Sequence, residues 1–171
     1  MFVKLAQFLS IMLYMLVAGV MWGTWLSLGR TMTSYDATTF LTDGKHMIAN
    51  LASVMTVLMI STGLVGLVVV LLLFRRRSTV AAWLALVGLL MLVAVIVVTL
   101  TVEVPIDNKI KMWTPETLPS DWKDIRSRWA AFHMLRTFLS LTAVAAAVGA
   151  ALTTLPGGGS GGSPVSRRTD D

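Results

Sequence analysis

The chain has 171 residues, of which 56% are hydrophobic and 13% charged, with a formal net charge of +5 and no cysteine. A soluble core of this size cannot bury so large an apolar fraction, so the composition excludes an ordinary soluble globular protein. The lack of cysteine excludes disulfides, thiolate metal sites and cysteine nucleophiles. Any chemistry therefore has to rest on histidine, carboxylate and arginine side chains.

Four apolar runs are long enough to be transmembrane helices, because a helix needs about 20 residues to cross the hydrocarbon core. The first run lacks an Ala-x-Ala cleavage site, which favours a retained helix over a signal peptide. Together the runs predict an all-α, integral membrane four-helix bundle over residues 1–155. The predicted spans cover about residues 5–28, 46–74, 79–102 and 129–152.

Basic residues set the predicted orientation. Three consecutive arginines, residues 75–77, follow the second run with no acidic residue nearby, whereas the other two connections have balanced charges. Positive connections stay in the cytoplasm, so both termini are expected there, including the Gly/Ser-rich segment 156–171, a flexible tail by composition. The connection 103–128 is expected to form an ordered outer loop, because Pro105 should end the third helix near Val102. A bacterial plasma membrane is the predicted location.

The fourth run carries polar groups that a membrane does not tolerate without a partner or a purpose. They recur at steps of three and four residues, so they share one helical face, which is expected to point into the bundle. At 1.5 Å per residue, His133 and Arg136 lie about 6 and about 10 Å below Trp129. The residues of this face are Arg126, Trp129, His133, Arg136, Thr137 and Ser140.

Two other runs place polar groups at a similar depth. The second run begins with His46 and Asn50, one turn apart, and the third ends with Glu103. His46, His133 and Glu103 are therefore expected to converge in one outer-leaflet pocket, as a ligand set suited to iron, copper or zinc. The alternative is structural: Glu103 neutralises Arg136 as an ion pair, and His133 makes one hydrogen bond within the bundle.

Three motifs follow one another between residues 103 and 140. They are Val104-Pro-Ile-Asp-Asn108, Asp121-Trp122, and an Arg-Ser-Arg-Trp sequence followed by His133 and then Arg136-Thr137. They resemble the signature of the anthrone-oxygenase-like family of small four-helix membrane proteins, with Asp107 in place of the commoner Asn. Some members of that family oxidise anthrones to anthraquinones with molecular oxygen and without a flavin. The resemblance implies that His133 and Arg136 are functional residues.

The residues and the resemblance together predict a membrane oxygenase or related oxidoreductase that acts on an apolar, aromatic substrate. His133 would be the general base or a metal ligand, and Arg136 would stabilise a phenolate or peroxide anion. Glu103 would relay protons or complete the ligand set. The residues expected to shape the substrate pocket are Asn50, Asn108, Trp113, Trp129 and Trp25.

Two alternatives stay open at this point. Haem could bind between His46 and His133 as axial ligands from two helices. A non-enzymatic subunit or scaffold would instead use the polar network to fix helix register within a homo-oligomer or a larger membrane complex. The residues do not decide between a transition metal, haem and no cofactor. The expected partners are the lipid bilayer and an apolar small molecule, and nucleic acid is not expected.

Overall fold

The computed structural model describes residues 1–154, so the predicted tail over 156–171 lies outside the described residues. Every regular element in the described part is helical. The elements are α1 (Phe2–Thr24), a π-helical turn (Trp25–Gly29), a 3-10 turn (Met32–Ser34), α2 (Ala37–Arg75), α3 (Thr79–Val98), a second π-helical turn (Thr99–Glu103), α4 (Val104–Met112) and α5 (Trp122–Leu152).

Four continuous helical stretches in this part are long and apolar enough to cross a membrane, which confirms the prediction of an all-helical, multi-pass protein. The helices extend beyond the predicted spans. For example, α2 already begins at Ala37, where the carboxylate of Asp36 accepts a hydrogen bond from the backbone N–H of Thr39 at 2.8 Å. This cap favours the ionised carboxylate and so lowers the pKa of Asp36. The four stretches are Phe2–Ser34, Ala37–Arg75, Thr79–Met112 and Trp122–Leu152.

The third span does not end near Val102, so that prediction is wrong. Helix α3 continues through the π-helical turn Thr99–Glu103 into α4, and Pro105 occupies the first turn of α4. Proline is tolerated there, because the first turn of a helix does not need the N–H that proline lacks. Glu103 consequently lies inside a continuous helical stretch, and its side chain projects from the side of that helix.

The four spans form a ring, in which α1 and α3 each pack against α2 and α5. Helices α3 and α5 approach closely at Gly88, where an added Cβ would lie 3.2 Å from the carbonyl oxygen of Ala143. The outward faces are apolar, as at Val57 and Leu64, which are 65% and 62% exposed. Such faces suit contact with lipid chains.

Both ends of the described chain lie at the same end of the ring. The side-chain amide of Gln7 donates to the carbonyl oxygen of Ala150 at 3.4 Å, and Val3 packs with Leu73 and Ala81. The arginine turn 75–77 begins two residues after Leu73, so it lies at this end too. We call this the proximal end and the opposite one the distal end.

The distal end is closed by an apolar cluster that joins the two distal connections, between α1 and α2 and between α4 and α5. Two polar contacts fasten it: Lys45 Nζ donates to the carbonyl oxygen of Trp113 at 2.7 Å, and Arg126 Nη1 donates to that of Tyr35 at 2.9 Å. The buried members of the cluster are Met32, Phe40, Leu41, Ile48, Ile106, Ile110 and Trp129.

Candidate functional site

A cavity of about 160 Å³ lies below the distal cluster, between all four spans. Its wall on α2 is mainly apolar and includes Met47, Leu51 and Met55. The opposite wall carries the polar groups of the third and fourth spans. These groups are Thr99, Glu103, Asp107, Trp129, His133 and Arg136.

Arg136 is the hub of the polar wall. Its Nη1 donates to Thr99 Oγ1 at 3.0 Å, and its Nη2 donates both to Glu103 Oε2 at 2.8 Å and to His133 Nδ1 at 2.9 Å. The π-helical turn Thr99–Glu103 supplies two of these three acceptors. Turns of this kind are common at functional sites, because they reset the register of side chains on a helix.

His133 has both of its ring nitrogens engaged. A guanidinium can only donate, so Nδ1 is the unprotonated acceptor, and Nε2 carries the proton and donates to the carbonyl oxygen of Met21 at 3.2 Å. The imidazole also stacks on the Trp129 indole, with centroids 4.9 Å apart and planes 4° from parallel. In this arrangement His133 has no free lone pair for a metal ion or a substrate proton.

Glu103 has one carboxylate oxygen free. The side chain is 1% exposed, and although Oε2 pairs with Arg136, Oε1 has no hydrogen-bond partner among residues 1–154. A buried acceptor without a partner is costly, so its position on the cavity wall points to a ligand group that donates to it.

Asp107 lies one helical turn beyond Glu103 and adds a second carboxylate to the wall. Its Oδ1 accepts a hydrogen bond from the Trp129 indole N–H at 3.1 Å. This bond holds the indole in place, and the indole in turn supports the imidazole of His133. By formal charge, two carboxylates therefore face the single guanidinium of Arg136.

The predicted inward face of α5 is confirmed. All six of its residues are buried, and three of them line the cavity. The buried residues are Arg126, Trp129, His133, Arg136, Thr137 and Ser140.

The predicted contribution of α2 is wrong. His46 and Asn50 are exposed and do not line the cavity, because the inward positions of this part of α2 are taken by the apolar residues Met47, Ile48 and Leu51. The metal-ligand set of His46, His133 and Glu103 is therefore not brought together. In the part of the chain that the structure describes, no group of three His, Cys, Asp or Glu residues is placed to hold a metal ion.

The other predicted pocket residues also lie outside the cavity lining. Asn108 is exposed and Trp113 is half-buried in the distal cluster. Trp25 is half-buried beside α5, with its ring centroid 5.9 Å from that of Phe138. Of the five residues expected to bind substrate, Trp129 alone among the described residues lines the cavity.

The sequence also contained lining residues that were not predicted. Asp107 follows Glu103 by four residues, a spacing that places both on one helical face, but the helix was expected to end before it. Thr99 precedes Glu103 by four residues in the same way. Four methionines line the cavity as well, and nothing in the sequence distinguished them from lipid-facing methionines: Met21, Met47, Met55 and Met59.

The amino-acid sequence of the chain matches a known protein family. A model of the family described as Anthrone oxygenase matches residues 45–146, which is more than half of the 171 residues and includes every polar residue of the cavity wall on α3, α4 and α5. The motifs between residues 103 and 140 thus indicated the family that matches. No curated protein and no solved structure matches the chain.

Proposed function

Because the chain belongs to the anthrone oxygenase family, we propose that it is a membrane-embedded oxygenase that oxidises an apolar, aromatic substrate with molecular oxygen. The observation that carries the proposal is the free Oε1 of Glu103 beside the Arg136 guanidinium, on the wall of a mainly apolar cavity. A base next to a fixed cation, inside an apolar pocket, suits removal of a weakly acidic proton and stabilisation of the resulting anion.

Glu103 is assigned as the base and His133 as a positioning residue. Oε1 of Glu103 has no hydrogen-bond partner among the described residues and so keeps lone pairs that can take up a proton, whereas both imidazole nitrogens are already engaged. Arg136 is assigned the role of stabilising the developing oxyanion. Its Nε has no hydrogen-bond partner among the described residues, although its Nη1 and Nη2 are in use.

The reaction balances with oxygen as the only co-substrate. Glu103 takes a proton from the methylene carbon of an anthrone-like substrate, and the electron pair left behind delocalises onto the carbonyl oxygen near Arg136. The carbanion transfers electrons to O₂ and forms a C–O bond, and the proton returned by Glu103 gives a hydroperoxide. The Glu103 carboxylate then removes the second proton from this carbon, the electron pair of that C–H bond forms the C=O bond as the O–O bond breaks, and the departing hydroxide takes the proton and leaves as water. One oxygen atom enters the quinone and the other leaves as water.

The volume of the cavity bears on the substrate. An engineered apolar cavity of about 150 Å³ takes up benzene, so a cavity of this size encloses about one aromatic ring. A fused polycyclic substrate would extend beyond it, or would displace the methionine side chains of the wall. Methionine suits this task because its unbranched side chain repacks easily.

The position of the site in the membrane is part of the proposal. The arginine turn 75–77 lies at the proximal end, and positively charged connections stay in the cytoplasm, which supports cytoplasmic termini in a plasma membrane. The cavity then lies in the outer half of the bilayer, and the connection around residues 113–121 forms the outer loop. Neither of the two cofactors expected from the sequence, a transition metal or haem, is required for this reaction.

The test is oxygen uptake by the purified protein in lipid nanodiscs with anthrone and no added flavin or metal. We expect one O₂ consumed for each anthraquinone formed, and loss of this activity in Glu103→Gln. Glu116→Gln is the matched control, since Glu116 is exposed in the distal connection. Folded protein that consumes no oxygen with anthrone or related aromatic substrates would contradict the proposal and favour the scaffold alternative.

A further inference from the structure

One strip of α2 faces the third span along several turns. Lys45 and Gly63 are eighteen residues apart, which is five turns of 3.6 residues, so they point the same way. Lys45 Nζ reaches the carbonyl oxygen of Trp113, just beyond α4, and a Cβ added at Gly63 would lie 3.9 Å from Leu92 of α3. The strip is therefore in contact with the third span at both of these levels.

Between these two levels, α2 and the third span leave a gap. Ala52 and Thr56 lie about two and three turns from Lys45 on the same strip, yet both are exposed while they line the cavity. Across the gap, Val104 of the third span is 37% exposed and lines the cavity as well. We call the opening between Ala52, Thr56 and Val104 the lateral window.

The surroundings of the window are those of lipid-facing helices. On α2 its outer side continues into Val57 and Ile60, and on the third span it borders Leu100, all of which are strongly exposed and apolar. The direct path from the distal end is closed, since Met32 and Trp129 of the distal cluster are buried above the cavity. An apolar molecule dissolved in the bilayer can therefore reach the cavity through an opening, whereas a molecule in the water at the distal end meets a packed cluster.

We propose that the lateral window is the route by which an apolar aromatic molecule with a hydroxyl or keto group passes from the bilayer to Glu103 and Arg136, and that Ala52 sets its width. The identity of that molecule rests on the proposed function. A lipid acyl chain fits less well, because a hydrocarbon chain would leave Glu103 Oε1 and Arg136 Nε, which have no hydrogen-bond partner among the described residues, still without one. Ala52 has the smallest side chain of the three window residues, so it leaves the most space between the two spans.

The experiment blocks the lateral window with a chemical group that is attached after the protein has folded. Because the chain contains no cysteine, Ala52→Cys can be modified at one site with benzyl methanethiosulfonate, and dithiothreitol removes the benzyl group again. The probe is 4-hydroxybenzophenone in nanodiscs, which cross-links to nearby side chains under ultraviolet light. Adducts are located by mass spectrometry. Val57→Cys with the same treatment is the matched control, since Val57 faces outward on the same helix and does not line the cavity.

We expect adducts at cavity residues such as Met55 in the unmodified Ala52→Cys variant and in the benzylated Val57→Cys control. Benzylation of the Ala52→Cys variant should slow their formation at least about tenfold, which corresponds to about 1.4 kcal/mol on the barrier to access, and dithiothreitol should restore it. Unchanged cavity labelling in the benzylated variant would overturn the proposal. Labelling confined to outward-facing residues in the unmodified variant, as expected if lipid occupies the window, would overturn it too.

The same variants separate this inference from the proposed function. If benzylation blocks cavity labelling while the wild type and the unmodified Ala52→Cys variant do not oxidise anthrone, the result supports the window and contradicts the oxygenase. Oxidation of anthrone that continues at full rate in the benzylated variant would support the oxygenase and contradict the window.

Discussion

The guanidinium of Arg136 donates to Nδ1 of His133 at 2.9 Å, and this bond fixes which ring nitrogen carries the proton. With Nδ1 as the acceptor, Nε2 donates to the backbone of α1 at Met21. The histidine thereby connects α5 to α1, while the stacked Trp129 holds its ring plane. Arg136 and His133 act as one rigid unit, and Glu103 Oε1 beside them is a buried carboxylate oxygen without a hydrogen-bond partner among residues 1–154.

The first prediction concerns the tautomer. We expect ¹⁵N spectra of histidine-labelled protein at neutral pH to show His133 as a neutral ring protonated at Nε2. His46, which is exposed, is the internal reference for an unconstrained ring. Arg136→Met should remove the hydrogen bond to Nδ1 and shift the Nδ1 resonance, while the Met21 carbonyl keeps the proton on Nε2. A His133 ring protonated at Nδ1 in the wild-type protein would contradict the assigned network.

The second prediction concerns stability. Arg136→Ala leaves the Glu103 carboxylate buried without its cation, and removing one partner of a buried ion pair costs about 3–5 kcal/mol. We expect a large drop in the free energy of unfolding in detergent. The additional change Glu103→Gln should recover part of it, because the amide is neutral. Arg128→Ala is the control, since Arg128 is exposed and lies only over the Phe132 ring. Equal losses in Arg136→Ala and Arg128→Ala would be incompatible with a buried pair.

Part of this site was predictable from the sequence. Polar residues every three or four positions on α5 had no reason to be in a membrane unless they faced inward, and all six do. On α2 the same logic failed, because His46 and Asn50 lie near the distal end of the helix, where polar side chains can face outward at low cost. The apolar neighbours Met47 and Leu51 took the inward positions.

Pro105 accounts for another difference between expectation and structure. The rule that proline ends a helix does not consider the backbone before the proline. Here a π-helical turn precedes Pro105 and places it in the first turn of α4. Once the helix continues, the four-residue spacings from Thr99 through Glu103 to Asp107 place three polar side chains on one wall. That arrangement depends on a local backbone geometry that spacing alone does not reveal.

The third prediction concerns metal and haem. Both nitrogens of His133 are engaged and His46 lies outside the cavity lining, so we expect iron, copper and zinc far below one ion per chain in the detergent-purified protein. We also expect no Soret band after expression with haem supply. Near-stoichiometric metal that disappears in His133→Ala would show that His133 leaves its present hydrogen bonds to act as a ligand.

The most direct test of the central claim is hydrogen exchange at the methylene group of anthrone in D₂O without oxygen. If Glu103 removes this proton, the wild-type protein should accelerate exchange above the rate in empty nanodiscs. A positioned general base contributes about 10²- to 10⁴-fold, so Glu103→Gln should lose most of that acceleration. Glu116→Gln, at an exposed position, should exchange as the wild type does. Equal acceleration by the wild type and by folded Glu103→Gln would contradict the assignment of Glu103 as the base.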